Sequence, residues 1–192
     1  WKDKAMQKLP ALLDSTGMLA CGEDLGMIPA TVPQVMDDLR ILSLEIQRMP
    51  KSVEETFAHP ANYPYLSVCT TSTHDMNPIR AWWEEDREVT NDFWHMILGN
   101  QGEAPFYCEP WICRQILEQH VWSPAMLTIL PLQDWLSMDP QLRREDPNTE
   151  RINVPANSRH YWRYRMHLTI EDLLAQADFN SYIREKIDRT GR

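Results

Sequence analysis

Two polar clusters carry side chains that could do chemistry. Gly22-Glu23-Asp24 follows the apolar run Met18–Cys21, and His74-Asp75 follows the apolar run Leu66–Thr71. A pair of carboxyl groups facing one substrate is the equipment of glycosidic bond chemistry. One protonates the leaving oxygen, and the other captures or stabilises positive charge on the sugar. Other readings of the same residues stay open. Glu23 could cap the following helix or bind a loop amide, and Asp75 could be a structural hydrogen-bond partner of His74. His59, His74, Asp75 and Glu23 also offer nitrogen and oxygen donors of the kind metals take. No pair of histidines at i, i+4 supports such a centre, so no metal is expected.

For these residues to converge, neighbouring strands must deliver them at the same end. Short apolar strands are predicted at 18–21, 42–47, 66–71 and 125–132. Between them lie helical stretches. One covers 2–14 and is interrupted by Pro10; the next has Thr31 as N-cap and Pro33 in its first turn, and runs to Arg40. A long polar-aromatic helix starts near Pro78 and includes IRAWWEEDREV. Residues 90–121 read as mainly helical with a break at 100–106, and 169–189 as one broken or two short helices. Residues 51–64 and 139–160 read as proline-punctuated loop. Alternation of strand and helix indicates an α/β fold of parallel β/α units. Four units are half of a (β/α)8 barrel of the TIM type, whose active site lies at the carboxyl ends of the strands. Glu23 and Asp75 should then follow two strands with one strand between them.

Composition removes several classes of function. The 192 residues suit one domain, 1–192, or a piece of a larger one, and 43% hydrophobic content excludes global disorder. A net charge of −9 disfavours nucleic acid as a partner. No apolar run approaches the ~20 residues that cross a bilayer, so no membrane partner is expected. The opening WKDKAMQKLP lacks the layout of a secretory signal. Four cysteines without a C-x-x-C pair read as reduced structural thiols of a cytoplasmic protein. The spacing of Cys108 and Cys113 could support a disulfide or a metal, but no familiar zinc pattern completes it. Tryptophan is high at 8, and for any single one a core position is the expectation. In the pair Trp82-Trp83, one indole should be core and the other exposed. The HYWRYRMH stretch suggests arginine stacked between aromatic rings.

Five motifs in order carry a family resemblance: CGEDLGMIPATVPQVM, EIQRMP, TTSTHD followed by IRAWWEED, LPLQDWL, and INVPANSRHYWRYRMH. Together they resemble the 4-α-glucanotransferases (amylomaltase or disproportionating enzymes) of glycoside hydrolase family seventy-seven. Their plant cytosolic branch is the most similar. The resemblance implies that Glu23 is the general acid/base, that His74 binds sugar and that Asp75 stabilises the transition state. It also implies that the loop bearing Arg151, Asn153 and Pro155 approaches the substrate. The family's nucleophilic aspartate belongs to an R-x-D type motif on the preceding strand, upstream of this chain, and the expectation is that no such motif occurs here. The chain would then be the C-terminal part of a retaining transferase acting on maltose, starch or another α-1,4-glucan, without metal or organic cofactor. Its partner would be the N-terminal remainder of the barrel, and alone it would be inactive. Met76-Asn77-Pro78 and Arg48-Met49-Pro50 depart from the bacterial pattern. Maltose as donor and a branched or soluble glucan as acceptor follow from the plant-type branch. Asp134, after the fourth strand, reads as a helix cap. The rival readings are a noncatalytic glucan-binding module and an α-glucan hydrolase.

Overall fold

The computed structural model describes residues 1–26 and 28–192, so Met27 of the first motif lies outside the described residues. The chain divides into two compact units, residues 1–70 with 123–129, and residues 71–122 with 130–192.

The first unit is built on a parallel sheet of β1 (Ser43–Ile46), β2 (Ser67–Thr70) and β3 (Leu127–Thr128), in that order. Ser43 pairs with Ser67 and Val68 with Leu127. All four residues of β2 are buried, so both of its faces are covered, as is usual for a parallel sheet. The predicted strand at 18–21 shrinks to a single parallel bridge, Cys21 to Leu42. Met18 and Leu19 are 77% and 54% exposed, so nothing in the first unit covers them and apolar content alone does not make a strand. The predicted strand at 125–132 shrinks to two residues, flanked by Met126 N–H to Tyr65 O at 2.8 Å and Ile129 N–H to Cys69 O at 3.0 Å.

Helices α1 (Lys2–Asp14) and α2 (Thr31–Asp38) complete this unit. Pro10 lies inside α1 without interrupting it, contrary to the sequence expectation, since a proline removes one hydrogen bond of a 13-residue helix. Thr31 is the first residue of α2 and not its cap; Ala30 takes that place without a side-chain bond. Val35 of α2, Leu42 and Ile46 are all buried in this unit. Tyr63, Cys69 and Ala125 form a second small cluster.

The second unit is helical. The long helix expected from Pro78 is two helices, α3 (Ile79–Trp83) and α4 (Arg87–Met96). Asp86 causes the break: its carboxylate accepts from Glu88 N–H at 2.9 Å and Val89 N–H at 3.3 Å, restarting the helix. Trp83 is fully buried and Trp82 half-buried, with Phe93 edge-on to both. The Trp83 indole donates to Pro105 O at 3.0 Å, which satisfies its one polar atom. Helices α5 (Pro110–Val121), α6 (Leu132–Leu136), α7 (Ile170–Leu174) and α8 (Ala177–Thr190) follow, with a 3-10 turn at Pro147–Glu150. The two-helix alternative for the C-terminus is the correct one, with Thr169 and Asp172 forming a capping box on α7.

Four tryptophans (Trp1, Trp111, Trp122 and Trp162) are exposed, so the core expectation fails for half of the eight. The arginine stacking in HYWRYRMH reduces to Arg163 over one ring, Tyr161, at 5.8 Å. None of the four cysteines forms a disulfide, and the Cys108 and Cys113 sulfurs lie 3.4 Å apart in the core. Burial pushes the Cys108 thiol well above its usual range, which suppresses thiolate chemistry. No group of three metal-ligating side chains occurs among the described residues, and no helix among them is long and apolar enough to cross a membrane.

Candidate functional site

The first unit positions Glu23 two residues beyond the Cys21 bridge. Its carboxylate is exposed and shares no hydrogen bond or ion pair with another described residue, so the capping and amide-binding alternatives fail. It lies on the rim of an apolar cavity of 310 Å³ that Leu13, Ala20, Ile28, Val35 and Ile41 help to line. Gly26 closes the E-D-L-G turn at φ 73°, a left-handed conformation that glycine adopts without a Cβ clash. The neighbouring Asp24 is buried instead, with both oxygens bonded.

The second unit gathers His74, Asp75 and Asn153. Asn153 Nδ2 donates to Asp75 Oδ1 at 2.5 Å, and Asn153 N–H donates to His74 O at 3.2 Å. His74 Nε2 is 3.4 Å from Asp75 Oδ2. The side chains of His74 and Asp75 are 46% and 48% exposed, leaving both reachable by a ligand. Trp162, which sequence reasoning treated as structural, lies against His74 with ring centroids 4.8 Å apart. An exposed indole beside a carboxylate, an imidazole and an amide is a surface suited to a sugar ring. The sequence signal for Trp162 was its place in the last motif; its nearness to His74 is not readable from spacing. Arg151 shares no hydrogen bond with this cluster; it lines a separate polar cavity of 360 Å³ with Asn157, Arg159 and Tyr161.

What holds the loop bearing His74 and Asp75 is Asp134. This fully buried carboxylate accepts from Thr71 Oγ1 at 2.5 Å, Ser72 Oγ at 3.1 Å and Ile79 N–H at 2.8 Å. It therefore grips both ends of the loop. The expected capping role is met on another helix: Asp134 sits inside α6 and accepts from the first N–H of α3, not from its own helix. The sequence does contain an R-x-D run, Arg144-Glu145-Asp146, against the expectation of none. Asp146 caps the 3-10 turn through Asn148 N–H at 2.9 Å and follows no strand, so it has a structural explanation.

Glu150 was missed at the sequence level. It is 1% exposed, its carboxyl oxygens have no hydrogen-bond partner among the described residues, and Arg80 Nη1 is 3.9 Å away. Burial pushes its carboxyl up to about 7, with the Arg80 guanidinium opposing. The folded state then keeps a proton that the unfolded chain gives up at ordinary carboxyl pH, so this group destabilises the fold as pH rises from about 4.5 through 7. Relative to the native protein, Glu150→Gln is expected to gain about 2–3 kcal/mol between pH 5 and pH 8. Urea denaturation of both at the two pH values measures it; a pH-independent difference would remove the titration.

A parallel α/β fold with acidic residues just beyond its strand ends defines the class. The sequence profile of the family described as 4-alpha-glucanotransferase matches residues 1–169, and the chain belongs to that family, glycoside hydrolase family seventy-seven. It is 42% identical over 192 residues to a 4-alpha-glucanotransferase (DPE2) of Oryza sativa subsp. japonica, covering 100% of this chain and 20% of that protein. It is 31% identical over 185 residues to a 4-alpha-glucanotransferase of Chlamydia muridarum, covering 94% of this chain and 34% of that protein. The fold is similar to that of an amylomaltase from Streptococcus agalactiae, solved in complex with acarbose. The TM-score is 0.71 at 18% identity, covering 98% of this chain and 35% of that one. The chain thus spans 20% and 34% of the lengths of these two curated relatives.

Proposed function

We propose that this chain is the C-terminal half of the (β/α)8 barrel of a cytoplasmic, retaining 4-α-glucanotransferase. The observation that carries the reading is strand order. In a member of this family, Glu23 follows the parallel Cys21–Leu42 bridge and Asp75 follows β2, with β1 between the two. In TIM-type barrels the catalytic side chains sit beyond such strand ends.

Glu23 protonates the oxygen between two α-1,4-linked glucose units while an aspartate of the N-terminal remainder attacks the anomeric carbon. The glycosidic bond breaks, a covalent glucosyl-enzyme forms, and the shortened chain leaves with the proton. Glu23, now a carboxylate, takes the proton of an incoming sugar 4-hydroxyl as that oxygen displaces the aspartate. Asp75, held by Asn153, offsets positive charge on the sugar in both transition states, and His74 with Trp162 orients the ring. Arg151 contributes to glucan binding from the same loop as Asn153. Transfer exceeds hydrolysis when sugar in the acceptor position excludes water.

The full-length protein incubated with maltotriose should yield a ladder of longer oligosaccharides. Glucose and maltose alone would establish a hydrolase, and binding without conversion a noncatalytic module. Asp75→Asn should slow transfer roughly 10²–10³-fold, and equally for maltotriose and α-glucosyl fluoride, because the lost charge serves every leaving group. A loss confined to maltotriose would instead make Asp75 part of leaving-group chemistry.

A further inference from the structure

The segment 20–24 approaches β1 as a strand and stops being one within a few residues. Gly22 N–H donates to Leu42 O at 2.8 Å, and Leu42 N–H donates to Ala20 O at 3.0 Å, which makes one rung of a parallel ladder. Two residues further along β1, Leu44 N–H donates to Asp24 Oδ1 at 2.8 Å. A side chain thus continues the ladder that the backbone began. Asp24 Oδ2 accepts from Lys51 Nζ at 2.7 Å, and the same ammonium reaches Glu45 Oε1 at 2.7 Å. Ser43 Oγ donates to that Glu45 oxygen, also at 2.7 Å. Both oxygens of Asp24 are therefore tied to β1, one directly and one through Lys51 and Glu45.

Glu23 lies between these two fixings, with Gly22 bonded on one side and Asp24 on the other. In extended chain, successive side chains point to opposite faces. Asp24 is 6% exposed while Glu23 is exposed, so drawing one carboxylate onto β1 turns the other outward. The Lys51 ammonium also matters to charge. It lies between the Asp24 and Glu45 carboxylates and offsets them where they come together.

We propose that Asp24 is a positioning residue for Glu23: anchored by Leu44 N–H and Lys51, its carboxylate fixes the strand end and aims the acid. The proposal rests on the acid/base role given to Glu23 above. Its consequence is specific. A loosened strand end misplaces the proton donor, so substrates that need a proton suffer and substrates that do not are spared. A general structural role would slow both alike.

The test uses the full-length protein and the ratio of kcat/KM on α-glucosyl fluoride to that on maltotriose. Asp24→Ala should raise this ratio about 100-fold, the scale of a misplacement near 1 Å. Asp24→Asn keeps an oxygen for Leu44 N–H but loses the Lys51 contact, so it should raise the ratio about tenfold, less than Asp24→Ala does. Should Asp24→Ala fail to fold, Lys51→Met frees only Oδ2 and should raise the ratio about tenfold. Glu23→Gln is the control. If it raises the ratio and the folded Asp24 and Lys51 variants leave it unchanged, the positioning role is overturned while the acid/base role stands. If Glu23→Gln itself leaves the ratio unchanged, the acid/base reading fails, and the positioning role fails with it.

Discussion

Replacing Glu23 by Gln in the full-length protein is expected to cut transfer from maltotriose by roughly 10²–10⁴-fold, the range that a positioned general acid contributes. Glutamine keeps the size and the exposed position at the strand end but has no proton to give. The leaving oxygen of maltotriose would then depart as an alkoxide. Fluoride leaves without that help, so α-glucosyl fluoride should still form the covalent intermediate, seen as a burst of released fluoride. Turnover should stall afterwards, because the same residue deprotonates the acceptor hydroxyl. An added azide ion needs no deprotonation and should restore turnover as a glucosyl azide product. Equal losses on maltotriose and the fluoride would falsify the acid/base role.

The candidate motifs could be picked out in the sequence because they are local. Glu23 and His74-Asp75 come shortly after apolar runs, and their side-chain chemistry is the same whether the run is a full strand or a single bridge. The lengths of those runs were not readable. Met18–Cys21 has the composition of a strand, yet it pairs only through Cys21, since strand formation depends on a neighbour that the local sequence does not name. The break between α3 and α4 was readable in principle from Asp86, a residue type that caps helices more readily than it continues them. The apolar and aromatic pattern across it favoured one helix. Asp134 shows what spacing conceals. A carboxylate inside a helix that holds a loop some sixty residues away in sequence leaves no periodic mark. Glu150 leaves none either: a glutamate in a polar loop reads as surface, and only packing reveals its burial. Trp162 and Asn153 likewise join His74 through tertiary structure alone.

The 192-residue chain on its own is expected to give no oligosaccharide ladder from maltotriose. A retaining reaction needs a second carboxyl about 5–5.5 Å from the acid, on the other side of the anomeric carbon. The acidic groups that this chain places around its strand ends are otherwise engaged. Asp24 adjoins Glu23 but has one oxygen on Leu44 N–H and the other on Lys51, so its lone pairs point into the sheet and away from solvent. Glu45 shares the same ammonium and the Ser43 hydroxyl. Asp134 is buried under three hydrogen bonds, and Asp146 caps a turn. Asp75 is held by Asn153 beside His74, where it can stabilise charge but is assigned no attack. The chain also spans only 20% of the length of its rice relative. Sugar bound to this portion alone would stay hydrated, and electrostatic stabilisation weakens steeply in water. Incubation of the purified chain with maltotriose, followed by chromatography of the products, measures this directly. Calorimetric titration with acarbose measures binding separately. Binding without a ladder is the expected pair of results; a reproducible ladder would mean that one of the carboxylates assigned here to structure is the nucleophile.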